Sequence, residues 1–341
     1  MTFTDTTETQ DLTARAAVDW RKRHGRSAIV FVYRFGVVMV LGALVIAFSI
    51  LLPTTFFTTG NFITIMSSQS IFMIMALGLT APLAAGDFDL SIASVLGFAG
   101  AMFGYLTVLH GIGMALALVI VVLIGIFVGL LNGTLVVRYE INAFIVTLGT
   151  GTILGGITVA ITGGQVLSGI PTSIVNTMRM TLFTLPLPVY IGLGFAVLTW
   201  YVYEHTPAGR QLFFTGESRE AARLAGIAVN RVRAIAFLVA AIMSTIAGII
   251  LVGQLSVADP SIGPDYLLPT YAAAFLGATT IKPGRYNSWG TVVALYLLVT
   301  GITGLQLFGL ASWIQQVFNG AALVIAVMLA RVAAIKAPDI A

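Results

Sequence analysis

Long apolar runs separated by short polar connectors fill most of this chain. The runs lie at about 32–52, 62–85, 88–109, 113–137, 141–163, 183–203, 232–254, 266–281, 289–310 and 313–331, the eighth being the shortest. Most can cross a hydrocarbon layer of about 30 Å as helices, at a rise of about 1.5 Å per residue. A membrane β-barrel needs strands that alternate polar and apolar residues over about ten positions, and these runs do not alternate. The pattern predicts an all-α, polytopic membrane protein with about ten transmembrane helices. Its expected organisation is a tail at 1–30, one transmembrane domain at 31–335 and a short tail at 336–341.

Composition agrees and charge adds orientation. Hydrophobic residues make up 58% and charged residues only 9% of the 341, against about 25% charged in soluble domains. With the first residues inside, ten spans place sixteen of the seventeen Lys and Arg residues at inside segments and leave Arg179 outside. Inside loops of membrane proteins carry that excess, so both termini are expected in the cytoplasm. The N-terminal 30 residues show no apolar core before a small-residue cleavage site, so no cleaved signal peptide is expected. Residues 11–24 read either as a surface helix with Trp20 at the interface or as a mobile tail. There is no cysteine, and His24, His110 and His205 are far apart; neither a disulfide nor a metal site is expected, and no cofactor.

Outside loops are then expected at 53–61, 110–112, 164–182 and 255–265, with a tight turn near 311. Pro171-Thr172-Ser173-Ile174 suits a short helix on the outer surface. Small residues recur in the spans at Gly125, Gly129, Gly133, Gly149, Gly151, Gly155, Gly156, Gly301 and Gly304, where they let helices approach closely in lipid. Leu77–Val95 and Phe275–Val293 each run from a helix end through a short polar turn into another helix, the pattern of an internal repeat.

One charged island, Glu204 to Arg233, interrupts the apolar sequence. Each charge at a bilayer centre costs about 2.5–3.5 kcal/mol on insertion scales, so the island forms an inside loop. Pro207 and Gly209 break the preceding helix. Glu217 to Ala225 suits a short helix, with Glu217 favourable near its start and Gly226 as its C-cap. Its small apolar surface among charges fits either a groove of a partner or a solvated loop.

The chain has unusual acids at Asp87 and Asp89, between two spans with almost no linker. Asp89 before Leu90-Ser91-Ile92 reads as a helix N-cap; alternatively both acids line a cavity in a re-entrant turn. Gln69, Asn132, Asn142, Thr147, Thr150 and Gln254 either line a path or join helices. No Gly-x-x-x-x-Gly-Lys-[Ser/Thr] loop occurs, so this subunit is expected not to be an enzyme. Ionisable groups deep in spans, which proton-coupled carriers use, are almost absent.

Glu220-Ala221-Ala222, three residues, then Gly226 resembles the EAA…G coupling motif of ATP-binding cassette importer permeases. Gly86-Asp87-Phe88-Asp89-Leu90-Ser91 resembles a signature of the ribose-type monosaccharide branch, as do Gly129-Leu130-Leu131-Asn132-Gly133 and Ala143-Phe144-Ile145-Val146-Thr147-Leu148-Gly149. The likeness runs from about 35 to 331. It departs at Gly277–Gly290, where several glycines of the family's glycine-rich stretch are replaced and Pro283 and Tyr286 enter. The resemblance implies a permease fold of the type II-like kind in the bacterial cytoplasmic (inner) membrane, importing a monosaccharide or related polyol. Implied partners are a cytoplasmic ATPase subunit, an extracytoplasmic solute-binding protein and a second permease copy, identical or related. It also implies ATPase coupling through Glu217, Arg219, Glu220, Ala221, Ala222, Arg223, Leu224 and Gly226, and a path or gate at Asp87, Asp89, Ser91, Asn132, Asn142, Phe144 and Thr147. The alternatives are a branched-chain amino acid permease of similar architecture and a secondary carrier independent of ATP.

Overall fold

The computed structural model describes residues 31 and 34–336, with side-chain surroundings as far as Met328. The tail at 1–30 and residues 337–341 lie outside the described residues. Thirteen α-helices follow one another in the described part: α1 Arg34–Leu51, α2 Thr59–Ala84, α3 Ile92–Gly104, α4 Met114–Val137, α5 Ala143–Thr162, α6 Thr172–Arg179, α7 Leu187–His205, α8 Pro207–Glu217, α9 Arg219–Leu224, α10 Val229–Leu255, α11 Leu267–Gly277, α12 Ser288–Leu307 and α13 Trp313–Lys336. A π-turn, Tyr105–Leu109, prolongs α3, and a 3-10 turn, Gly263–Tyr266, leads into α11.

Eight of these helices are long and apolar enough to span: α1 to α5, α7, α10 and α12, with α3 counted through Leu109. Two of the ten expected spans fall short of that length. α11 has 11 residues, and the apolar part of α13 is Trp313–Met328. Both coincide with predicted runs, so the helical architecture holds while the count of ten does not follow from length alone.

α10 is the centre of the bundle, 72% of its most apolar window being buried. It packs on α2, α3 and α4. The sequence permits this through Gly125, Gly129 and Gly133, a stripe at four-residue spacing on one face of α4. A Cβ at Gly125 would lie 2.1 Å from Thr245 Oγ1, and one at Gly129 would lie 2.8 Å from the Leu238 Cα. Their missing side chains are therefore occupied by α10 itself. Gly301 and Gly304 similarly receive the rings of Phe318 and Phe48. Gly149, Gly155 and Gly156 behave otherwise. They face open space on α5, so the expected close packing there does not occur within this chain.

Local capping sets the helix ends. Thr58, Asn142, Thr206, Ser218 and Asn287 each accept a backbone N–H at the start of α2, α5, α8, α9 and α12, satisfying amides that have no partner within the helix. α6 starts after Pro171, as its sequence predicts. It packs on the end of α10, beside the two-residue pair of Leu167–Ser168 with Val257–Ala258. These elements form one end of the bundle. The other end carries α8, α9 and the connectors 85–91, 138–142 and 278–287.

Candidate functional site: the α8–α9 segment and its anchors

The short helix expected at Glu217 to Ala225 exists, but it starts later than expected. Glu217 closes α8 instead of opening α9, because Ser218 turns the chain into extended backbone and caps the new helix. Ser218 Oγ accepts the Ala221 N–H at 3.2 Å. At the other end Gly226 has φ +80. Its N–H donates to Arg223 O and that of Ile227 to Ala222 O, both at 3.0 Å. This is a Schellman ending, whose left-handed residue favours glycine. Between these caps Ala222 is buried, whereas Glu220, Arg223 and Leu224 face outward. Leu224 is 91% exposed.

What holds α9 to the bundle is Asp87. Its carboxylate, 4% exposed, receives Arg233 Nε at 2.7 Å on Oδ2 and Arg233 Nη2 at 2.8 Å on Oδ1. Arg219 Nη2 adds a bond at 3.0 Å to Oδ1 and another at 3.1 Å to Gly86 O. The two-pronged Arg233 contact is the stronger geometry for a guanidinium and a carboxylate. It ties the connector 85–91 to α10, and Arg219 then ties both to α9. The sequence offers Asp87 as a cavity or path acid and pairs it with neither arginine. The signal was a buried acid next to a segment with surplus arginines, but nothing in the sequence chose the partners.

Asp89 is not the N-cap of α3. Ser91 takes that position with helical backbone and no side-chain cap. Asp89 Oδ1 instead accepts the Ser91 N–H at 3.0 Å and Ser91 Oγ–H at 2.6 Å, closing the turn before the helix. From Ser91 a buried polar chain continues. Asn132 Nδ2 donates to Ser91 Oγ at 2.9 Å, and Thr150 Oγ1 donates to Asn132 Oδ1 at 2.7 Å. Thr147 Oγ1 accepts the Leu90 N–H at 3.0 Å. Four of the residues expected at a path thus join the connector to α4 and α5. Burial pushes the Asp89 carboxyl up to about 6, against the lowering by the two Ser91 bonds.

Asn142 and Phe144 are placed differently. Asn142 Oδ1 accepts the Phe144 N–H at 2.9 Å, and both residues are exposed at the start of α5. With Asp87, Glu140, Arg219, Glu220, Arg223 and Arg233 they line an open cavity of about 710 Å³ between the start of α5 and α9.

A third connector, 278–287, reaches the same segment from the other side. Lys282 Nζ pairs with Glu204 Oε2 at the end of α7. The Arg285 guanidinium lies 3.7 Å from the ring centroid of Phe213 on α8. Within the connector, Asn287 Nδ2 donates to the carbonyls of Gly277, Thr280 and Arg285 at 3.1, 3.0 and 3.1 Å.

A bundle of apolar helices with one charged helical segment gripped at one end defines a multi-pass membrane protein. The chain belongs to the family described as the branched-chain amino acid transport system / permease component, whose model matches residues 61–327. Among curated proteins it is similar to the ribose import permease protein of Haemophilus influenzae, 30% identical over 84% of this chain and 89% of the relative. The ribose import permease protein of Bacillus subtilis is 32% identical over 87% of this chain and 92% of the relative. The autoinducer 2 import system permease protein of Photorhabdus laumondii is 32% identical over 75% and 78%. No solved structure matches the chain.

Proposed function

We propose that this chain is the membrane-spanning permease subunit of an ATP-binding cassette importer for a monosaccharide or related polyol. Relatives named for ribose import extend over most of the chain at about 30% identity, in support of that cargo class. A relative named for autoinducer 2 import is similar over three quarters of the chain. The amino acid alternative has only the family description in its favour, and no described residue favours an ATP-independent carrier.

The observation that carries the coupling role is α9. Capped at both ends, it presents Glu220, Arg223 and Leu224 outward and is fastened by Arg219 to the buried Asp87. A leucine 91% exposed beside charges suits a shallow groove of a soluble partner. That partner is a cytoplasmic ATPase subunit, since the chain lacks a phosphate loop of its own. Both termini and α8–α9 lie in the cytoplasm, the side the basic residues favour, and the membrane is the bacterial inner one. A second permease copy completes the path, and a solute-binding protein delivers cargo at the α6 end. Nucleotide-driven closure of the ATPases moves α9, and the bundle follows, exposing the path alternately to each side.

The test is a pull-down of tagged permease in mild detergent, followed by ATP hydrolysis by the eluate. Wild-type permease is expected to retain a nucleotide-binding subunit. Gly226→Pro is expected to lose it while still inserting, since proline can adopt neither φ +80 nor the donor role of the Gly226 N–H. Active uptake with no ATPase attached to the wild type would instead establish a secondary carrier.

A further inference from the structure

We propose that Lys282 and Arg285 are positioning residues that clamp the α11–α12 connector to α7 and α8, so that motion of the coupling segment is passed to α11 and α12 directly. The proposal rests on the reading of α9 as the ATPase contact.

Two contacts form the clamp. Lys282 meets Glu204 where α7 gives way to α8. Arg285 lies flat enough over Phe213 to bring its guanidinium carbon within 3.7 Å of the ring centroid, well inside the range of a cation–π contact. Arg285 Nε is buried and has no hydrogen-bond partner among the described residues, so no acceptor competes with the ring for it. Phe213 in turn stands edge-on to Tyr203 of α7, centroids 5.4 Å apart. The clamp therefore grips both sides of the α7–α8 corner.

The connector is stiff enough to transmit what it grips. Asn287 binds two of its carbonyls and that of Gly277 at the end of α11, and accepts the Gly290 N–H at 2.7 Å. Arg34 of α1 is bound to Thr280 and Ile281 through its carbonyl and its Nε. Where α11 ends and α12 begins, a Cβ at Gly277 would lie 2.5 Å from the Thr291 Cα. A push at Arg285 thus moves α11 and α12 as one body. Both basic residues belong to the stretch where the chain departs from the glycine-rich pattern it otherwise resembles, so this clamp is built from side chains of its own.

The chain has no cysteine, so spin labels can be placed uniquely at Gln211 in α8 and Leu307 at the far end of α12. The distance is read in the complex with its co-purified ATPase in lipid nanodiscs, with and without ATP plus vanadate. Wild type is expected to show a nucleotide-dependent shift. Lys282→Glu and Arg285→Ala are expected to retain the ATPase and its turnover yet lose the shift. Lys282→Glu combined with Glu204→Lys should restore it, because the pair is rebuilt with reversed charge. Arg285→Lys should not, because an ammonium lacks the planar face that stacks on Phe213. An undiminished shift in both single variants, or a charge-reversed pair that fails to recover it, overturns the clamp and leaves α9 docking intact. A wild-type chain that holds no ATPase overturns the docking reading, and the clamp falls with it.

Discussion

The connectors 85–91 and 278–287 do the same job with opposite chemistry. Each joins the end of one helix to the start of the next, and each reaches the α7–α9 segment. In the first, the connector supplies a buried acid and the other elements supply the bases, Arg219 and Arg233. In the second, the connector supplies the bases, Lys282 and Arg285, and the segment supplies Glu204 and Phe213. Their burial differs as much as their sign. Asp87 is 4% exposed and Arg233 9%, whereas Lys282 is 41% exposed. A charge pair removed from water depends on complete pairing, while a pair at the surface is screened and weak. The first connector therefore contributes stability as well as position, and the second chiefly position.

The sharpest way to break that contrast is Asp87→Ala. It leaves Arg233 buried without its carboxylate, and breaking such a pair costs about 3–5 kcal/mol. We expect a large fall in thermal stability in detergent, followed by tryptophan fluorescence, with α9 released. A drop no larger than that of a surface pair would remove the distinction between the connectors.

Asp89 provides a second, pH-dependent test inside the same connector. Its folded carboxyl titrates at about 6 instead of 3.8, so the fold favours the protonated form. The stability this contributes is complete below about pH 3.8 and is lost as pH rises through about 6, about 3 kcal/mol in all. Asp89→Asn keeps an acceptor for the Ser91 donors but cannot ionise. The unfolding free energy measured from pH 4 to 7 should decline in the wild type and stay flatter in the variant. Parallel profiles would show that Asp89 is not buried as described.

The smallest effects belong to the exposed partners. Arg219, 40% exposed, and Lys282, 41% exposed, should each cost no more than about 1 kcal/mol on change to alanine. Comparing the two by the same unfolding assay tests whether the second connector contributes position and little stability.

Much of this was legible in advance because it is local. Apolar runs fixed the helices, Pro171 the start of α6, Gly226 the end of α9, and Gly125, Gly129 and Gly133 the α4 face that meets α10. The misreadings were also local in origin. Acids favour helix starts, which predicts Glu217 in α9, yet Ser218 caps that helix and moves the boundary. Asp89 reads as a cap of α3, but its Oδ1 accepts from Ser91, the residue just before the helix.

Alone, the sequence determines the membrane environment, the helical class and the one segment too charged for lipid, since hydropathy and charge are properties of neighbours along the chain. Tertiary structure decides which charges find each other. Asp87 and Arg233 are 146 positions apart, and Lys282 and Glu204 are 78 apart. No periodicity encodes such a pairing. It arises because packing around α10 brings distant connectors to one end of the bundle, where a buried charge must find its counter-ion.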